Sequence, residues 1–260
     1  MGSLKYHRPK TIEETLALME EGVPLAGGTA LTPQRYNVDA VIDLQDLKLD
    51  ELNVGKSEIH IGATAKLQAL IKAHEELPQA LVQACRQEAA LNIRNVATIG
   101  GTVMTGDGRS PLLTALLALD ASVITEPGKN AEPLQALLEN RDGMHKPRLI
   151  VSLEMEHPNR MMYEQVSRSP ADRPLVCLAV AEYLTSTGER SVFAALGGYG
   201  EYPIRLTKLE EALGKGASLA DAAALAQKAY FDAGDAFASA AYRAEIAGVL
   251  ARRLLAEVRG

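Results

Sequence analysis

The tripeptide Gly-Gly-Thr occurs twice in the first half of the chain, as Gly27-Gly28-Thr29 in PLAGGTALTPQ and as Gly100-Gly101-Thr102 in IRNVATIGGTVMTGDGRSP. Glycine lets a ligand come close to the backbone and lets the chain take positive φ. Successive N–H groups in such a turn converge on one concavity and hold an anion. A threonine hydroxyl adds a donor. Two turns of this kind facing each other could hold the two phosphates of a dinucleotide. Each alone is weak evidence, because Gly-Gly between a strand and a helix is most often a plain turn. LGGYGEYP, residues 196–203, is a third twin glycine without threonine and reads as only a turn.

The better-known phosphate motifs are missing. Gly106-x-Gly108 runs into Pro111 and Gly198-x-Gly200 into Pro203, so no G-x-G-x-x-G exists. Gly55-Lys56-Ser57 has Asp50 where the leading glycine of a P-loop belongs. The five histidines, His7, His60, His74, His145 and His157, show no ligand spacing and read as surface or internally satisfied residues. Cys85 and Cys177 read as buried core thiols. Two cysteines cannot supply the four thiolates of a usual iron–sulfur cluster or Cys₄ zinc site. No metal site is expected, and no catalytic residue is assigned.

The elements around these turns follow from local pattern. Residues 10–22 read as a helix with Thr11 and Glu14 as a capping-box pair and Gly22 at its end. Strands are expected within 23–28, where the strand runs into a loop, and at 39–44, 57–63, 121–126, 146–155, 174–184 and 191–198. Helices are expected at 63–77, at 78–90 behind Pro78, near 110–119, and at 207–214 closed by Gly214. A further helix opens at Ser218 with Asp221 as its capping partner, and a long Ala- and Arg-rich helix spans 239–258. In that last helix Arg243 reads as a snorkelling side chain over apolar packing. The stretch 93–110 reads as a glycine-rich loop. Changes of pattern divide the chain into residues 1–52, 53–156 and 157–260.

The 260 residues are 47% hydrophobic, with mean hydropathy near zero, enough for a real core. A net charge of −6 leaves no basic footprint for nucleic acid. No apolar run approaches the ~20 residues that span a bilayer. MGSLKYHRPK lacks the apolar core of a secretory signal. A cytoplasmic protein that contacts neither membrane nor nucleic acid is expected.

LAGGTAL and IRNVATIGGTVM…LLTALLALDASV resemble the flavoprotein subunit of the molybdenum hydroxylases, the family of xanthine dehydrogenase and aerobic carbon monoxide dehydrogenase. The segments 163–181, 195–213 and 241–255 resemble its C-terminal part. The resemblance implies an α+β fold: a two-part PCMH-type FAD-binding fold, then a C-terminal three-stranded sheet with helices. It implies FAD in a cleft, with the pyrophosphate held by Ala26, Gly27, Gly28, Thr29 and Ala30 and by Thr98, Ile99, Gly100, Gly101 and Thr102. It implies electron transfer from a [2Fe–2S] subunit, itself fed by a molybdopterin subunit, through the flavin to an acceptor. Four positions depart from the family pattern: Ala30 and Pro111 replace aspartates, Thr102 an asparagine and Gln165 a lysine. Asp107, between Gly106 and Gly108, is the nearest acidic residue able to stand in for the aspartate that Pro111 replaces. Two alternatives stay open: a flavin-free scaffold or assembly subunit of the same fold, and a stand-alone flavin oxidoreductase.

Overall fold

Thr11 sets the first helix. Its side chain accepts from the Glu14 N–H and starts α1 (Ile12–Leu18), while the Glu14 carboxylate accepts from the Lys10 N–H. The helix connects β1 (Lys5–His7) to β2 (Val23–Leu25), and β3 (Ala40–Asp43) inserts between them in a parallel sheet of order β1-β3-β2. The structure, a computed structural model, describes residues 4–34, 38–141 and 147–259; His145 lies outside them.

A five-stranded antiparallel sheet follows, of order β4-β5-β8-β6-β7. It is built from β4 (Leu52–Val54), β5 (Glu58–Gly62), β6 (Ser122–Glu126), β7 (Asn130–Pro133) and β8 (Leu149–Glu156). Between β5 and β6 the chain forms α2 (Leu67–Lys72), α3 (Gln79–Glu88), α4 (Leu91–Arg94), α5 (Ile99–Thr105) and α6 (Pro111–Ala118). α7 (Leu134–Asn140) joins β7 to β8. The helix expected over 63–77 is thus confined to α2. Ser110 caps α6 by accepting from the Leu113 N–H, and Pro111 fills its first turn, where a missing N–H costs nothing.

The C-terminal sheet has three long strands, β9 (Arg160–Val166), β10 (Val176–Leu184) and β11 (Arg190–Gly197). A fourth strand of two residues, β12 (Ile204–Arg205), pairs with Ala195 and Leu196 and extends the expected three-stranded sheet. Helices α8 (Thr207–Gly214), α9 (Leu219–Ala229) and α10 (Ala240–Arg259) cover it. The Ser218–Asp221 capping box is present at α9. Gly214 stays helical; the residue with left-handed φ that leaves α8 is Gly216, at +86°.

β10 serves two cores, because side chains alternate across a strand. Val176, Leu178 and Val180 pack with α9 and α10, while the smaller Cys177, Ala179 and Ala181 pack with α3 and α6 of the middle unit. Main-chain bonds fasten the same seam: the Gly108 N–H donates to Gly200 O at 2.9 Å, and the Gly198 N–H donates to Gly108 O at 2.7 Å. Arg141 adds bonds to the carbonyls of Gly106 and Glu201. Arg243 does not snorkel. Its side chain is fully buried, donating to Leu175 O, Gly198 O and the Asp235 carboxylate. No helix among the described residues is long and apolar enough to cross a membrane.

Candidate functional site

β2 delivers the first glycine turn. After Leu25 the chain bends through Ala26 and Gly27 to Gly28, whose φ is +69°. Such a φ is cheap for glycine and strained for residues with a Cβ. The Gly28 carbonyl is then held twice by Thr32, through its N–H at 2.9 Å and its hydroxyl at 2.7 Å. A Cβ on Gly27 would lie 2.0 Å from the Val96 carbonyl oxygen. This glycine is therefore required for the first turn to lie against the segment that leads into the second.

The second Gly-Gly-Thr is not a loop. Thr98 caps α5, its hydroxyl accepting from the Gly101 N–H at 3.2 Å, and Gly100-Gly101-Thr102 form the first turn of that helix. The main chain here is tied to the middle sheet: the Ile99 N–H donates to Ala65 O at 3.0 Å and the Gly100 N–H to Ala63 O at 2.9 Å. A Cβ on Gly100 would lie 2.8 Å from Ala63 O. The N–H groups from Ile99 to Thr102 thus all have partners within the protein. This turn offers a surface without side chains more than a set of waiting donors.

Both turns open on one cleft. Ala26, Gly27, Gly28, Thr29 and Ala30 line one side, and Thr98, Gly100 and Gly101 the other. Ile99 and Thr102 do not line it. Ile99 is fully buried, and the Thr102 hydroxyl donates to Thr98 O at 3.0 Å. Residues outside the motifs complete the walls: Met19 and Leu44 from the N-terminal unit, Thr64 after β5, Met104 and Thr105 on the next turn of α5, and Arg148, Leu149 and Ile150 at the start of β8. Spacing gave no signal for Arg148, which donates to the Thr125 hydroxyl at 2.9 Å and pairs with Glu132.

Asp107 stands apart from the cleft lining. Its carboxylate takes a two-pronged contact from Arg173, one prong at 2.8 Å, and accepts from the Arg109 N–H at 2.8 Å. Burial alone would raise this carboxyl, but the Arg173 and Arg109 contacts together hold it below the ordinary aspartate value. A carboxylate does reach the start of α6, where Pro111 stands. It comes from Glu88, which accepts from the Ser110 hydroxyl at 2.8 Å and the Leu112 N–H at 2.9 Å. Burial raises the Glu88 carboxyl despite those two donors. Gln165, on β9, accepts from the Tyr163 hydroxyl and donates to Ser167.

The described lining offers hydroxyls, glycine backbone, apolar side chains and one guanidinium. It holds neither a nucleophile nor an acid–base pair, so the arrangement binds, and redox chemistry must come from what it binds. Cys85 and Cys177 are free and buried; burial pushes the Cys177 thiol up to about 11 and Cys85 higher still. Among the described residues no three His, Cys, Asp or Glu side chains are grouped to hold a metal ion.

Residues 2–155 match the model of the FAD binding domain in molybdopterin dehydrogenase, and residues 161–258 that of the CO dehydrogenase flavoprotein C-terminal domain. The chain belongs to this flavoprotein family. It is 33% identical to the uncharacterized protein YgfM of Escherichia coli K12, over 97% of this chain and 95% of that one. It is 28% identical to the carbon monoxide dehydrogenase medium chain of Afipia carboxidovorans, over 97% and 95% of the two chains. Among solved structures, reconstituted CO dehydrogenase from Oligotropha carboxidovorans superimposes with a TM-score of 0.79 at 26% identity, over 97% of this chain and 96% of that one. The chain is thus an FAD-dependent oxidoreductase subunit of the molybdenum-hydroxylase type, and its cofactor is FAD.

Proposed function

We propose that FAD binds noncovalently with its pyrophosphate between Ala26–Ala30 on one side and Thr98, Gly100 and Gly101 on the other, and that the chain passes electrons from a [2Fe–2S] subunit to an acceptor. The complex would be cytoplasmic and would include a molybdopterin subunit that oxidises the substrate. The observation that carries this reading is the single cleft lined by both glycine turns. The fit is steric: apart from its own helix backbone, a Cβ on Gly101 would meet only the Thr98 hydroxyl, so the space in front of Gly101 belongs to the cleft. When bound, FAD supplies the electron-carrying chemistry. The chain's own residues position and shield it. Gly28 and Gly101 permit close approach, and Met19, Leu44, Met104, Leu149 and Ile150 give the cleft apolar walls that exclude water.

Partner subunits are supported by division of labour. Both cysteines are buried and no metal-holding group is found among the described residues, which fits a cluster carried on another chain. The test is purification of the chain alone and with the two partner subunits. Alone, it should release FAD on denaturation and show no substrate hydroxylation. With the partners, substrate should reduce its flavin. Efficient hydroxylation by the chain alone would overturn the assignment.

A further inference from the structure

We propose that Arg148 is the counter-charge of the cleft: its guanidinium recognises the diphosphate of the bound nucleotide, and Glu132 holds it at the rim in competition with that ligand. This deepens the reading of the cleft given above and rests on it.

The first argument is charge. Among the described residues that line the cleft, Arg148 carries the one ionised side chain, and none is acidic. A diphosphate diester brings two negative charges. The second argument is donor supply. The Ile99–Thr102 N–H groups are engaged inside the protein, and the Thr105 hydroxyl donates to Gly101 O at 2.8 Å. The second glycine turn thus provides room without matching charge.

The third argument is place. Arg148 directly precedes β8, and three residues on, Val151 accepts from the Ala63 N–H at 2.9 Å. Ala63 O in turn accepts from Gly100. Three strand residues, roughly 10 Å along β8, thus separate Arg148 from the floor beneath Gly100. Its guanidinium is oriented by Thr125 and Glu132, and the ion pair is part-exposed, at 30% for Arg148 and 23% for Glu132. An ion pair in contact with water is weakly held. A guanidinium fork meets a phosphate with two parallel hydrogen bonds, which a lysine cannot do.

The experiment compares full-length wild type, Arg148→Gln, Arg148→Lys and Glu132→Gln, titrated with FAD and with ADP at low and moderate salt. Circular dichroism confirms that each variant is folded. Arg148→Gln should weaken both ligands about tenfold or more and flatten the salt dependence. Arg148→Lys should fall between it and wild type. Glu132→Gln removes one competing partner and should tighten both ligands two- to threefold. If the pair merely clips β7 to β8, both neutralising variants will weaken binding alike, and the proposal fails. It fails too if Arg148→Gln binds ADP as wild type does. Wild type that binds FAD but not ADP would overturn the diphosphate assignment alone, whereas wild type that binds neither would overturn the reading of the cleft itself.

Discussion

A Cβ added to Gly101 would meet the Thr98 hydroxyl at 2.9 Å and little else, whereas one added to Gly198 would run into the Leu175 carbonyl at 2.3 Å. Both glycines are the second of a Gly-Gly pair, and both lie near an arginine. At the C-terminal pair the room left by glycine is filled by the chain itself: Arg243, fully buried, grips Gly198 O, Leu175 O and Asp235. At the cleft the room stays open and Arg148 stands at its rim, held by Glu132. The dipeptide reports only that space is needed. Whether that space serves packing or a ligand depends on which other segment enters it.

The strongest way to break this comparison is at Arg243. Arg243→Met leaves two main-chain carbonyls without this donor, and Asp235 with only the Phe237 and Ala238 N–H groups. Each buried carbonyl left without a donor costs about 1–3 kcal/mol, so denaturant unfolding should show a large loss of stability. FAD affinity of the folded fraction should stay within about twofold, and a selective loss of FAD would mean that the two regions are not separate. Gly101→Val gives the converse. Its branched side chain enters the cleft and disturbs the Thr98 cap. Flavin titration should show at least a tenfold loss, about 1.4 kcal/mol, and unchanged affinity would remove the cleft from the binding site.

The smallest effect is expected at Asp107, which belongs to neither region. Asp107→Asn should leave FAD affinity within about twofold. Both partners of the Asp107–Arg173 pair are roughly half exposed, so its loss should cost only about 0.2–1 kcal/mol. The carboxyl is depressed in the folded state, so the pair's contribution is complete above the ordinary aspartate value of about 3.9 and disappears as pH falls through the folded value. Acid titration of stability should therefore separate wild type from Asp107→Asn above pH 4 and bring them together below it. A gap that widens on acidification would contradict the pairing.

What could be read from sequence was local. The Ser218–Asp221 box, the apolar helix near 110–119 that is α6 and the apolar run of β10 are set by neighbours a few residues away. The two glycine turns were legible as a pair, and they do share a cleft. α5 was not legible as a helix, because Gly100 and Gly101 are poor helix formers. The Thr98 cap and the seating of Gly100 on Ala63 override that propensity. Arg148, Glu88 and Arg243 were misread or missed for a different reason. Arg148 finds Thr125 and Glu132 across the middle sheet, Glu88 finds Ser110 at the cap of α6, 22 positions on, and the carbonyls that bind Arg243 lie 45 and 68 positions away. No short-range pattern encodes such partners.

The two-faced strand β10 also limits how this protein can be divided. A fragment beginning at β9 would carry Cys177, Ala179, Ala181 and Ala195 outward, with no α3 or α6 to cover them. A fragment ending at β8 would leave Leu112, Leu113 and Leu116 without the strands they pack on, and Gly108 without its main-chain partners. Each half would be adhesive toward the other and toward any apolar surface in the cell. Ribosomal synthesis meets this problem on every pass, since the first half emerges complete and must wait, uncovered, for roughly forty more residues until β11 can arrive.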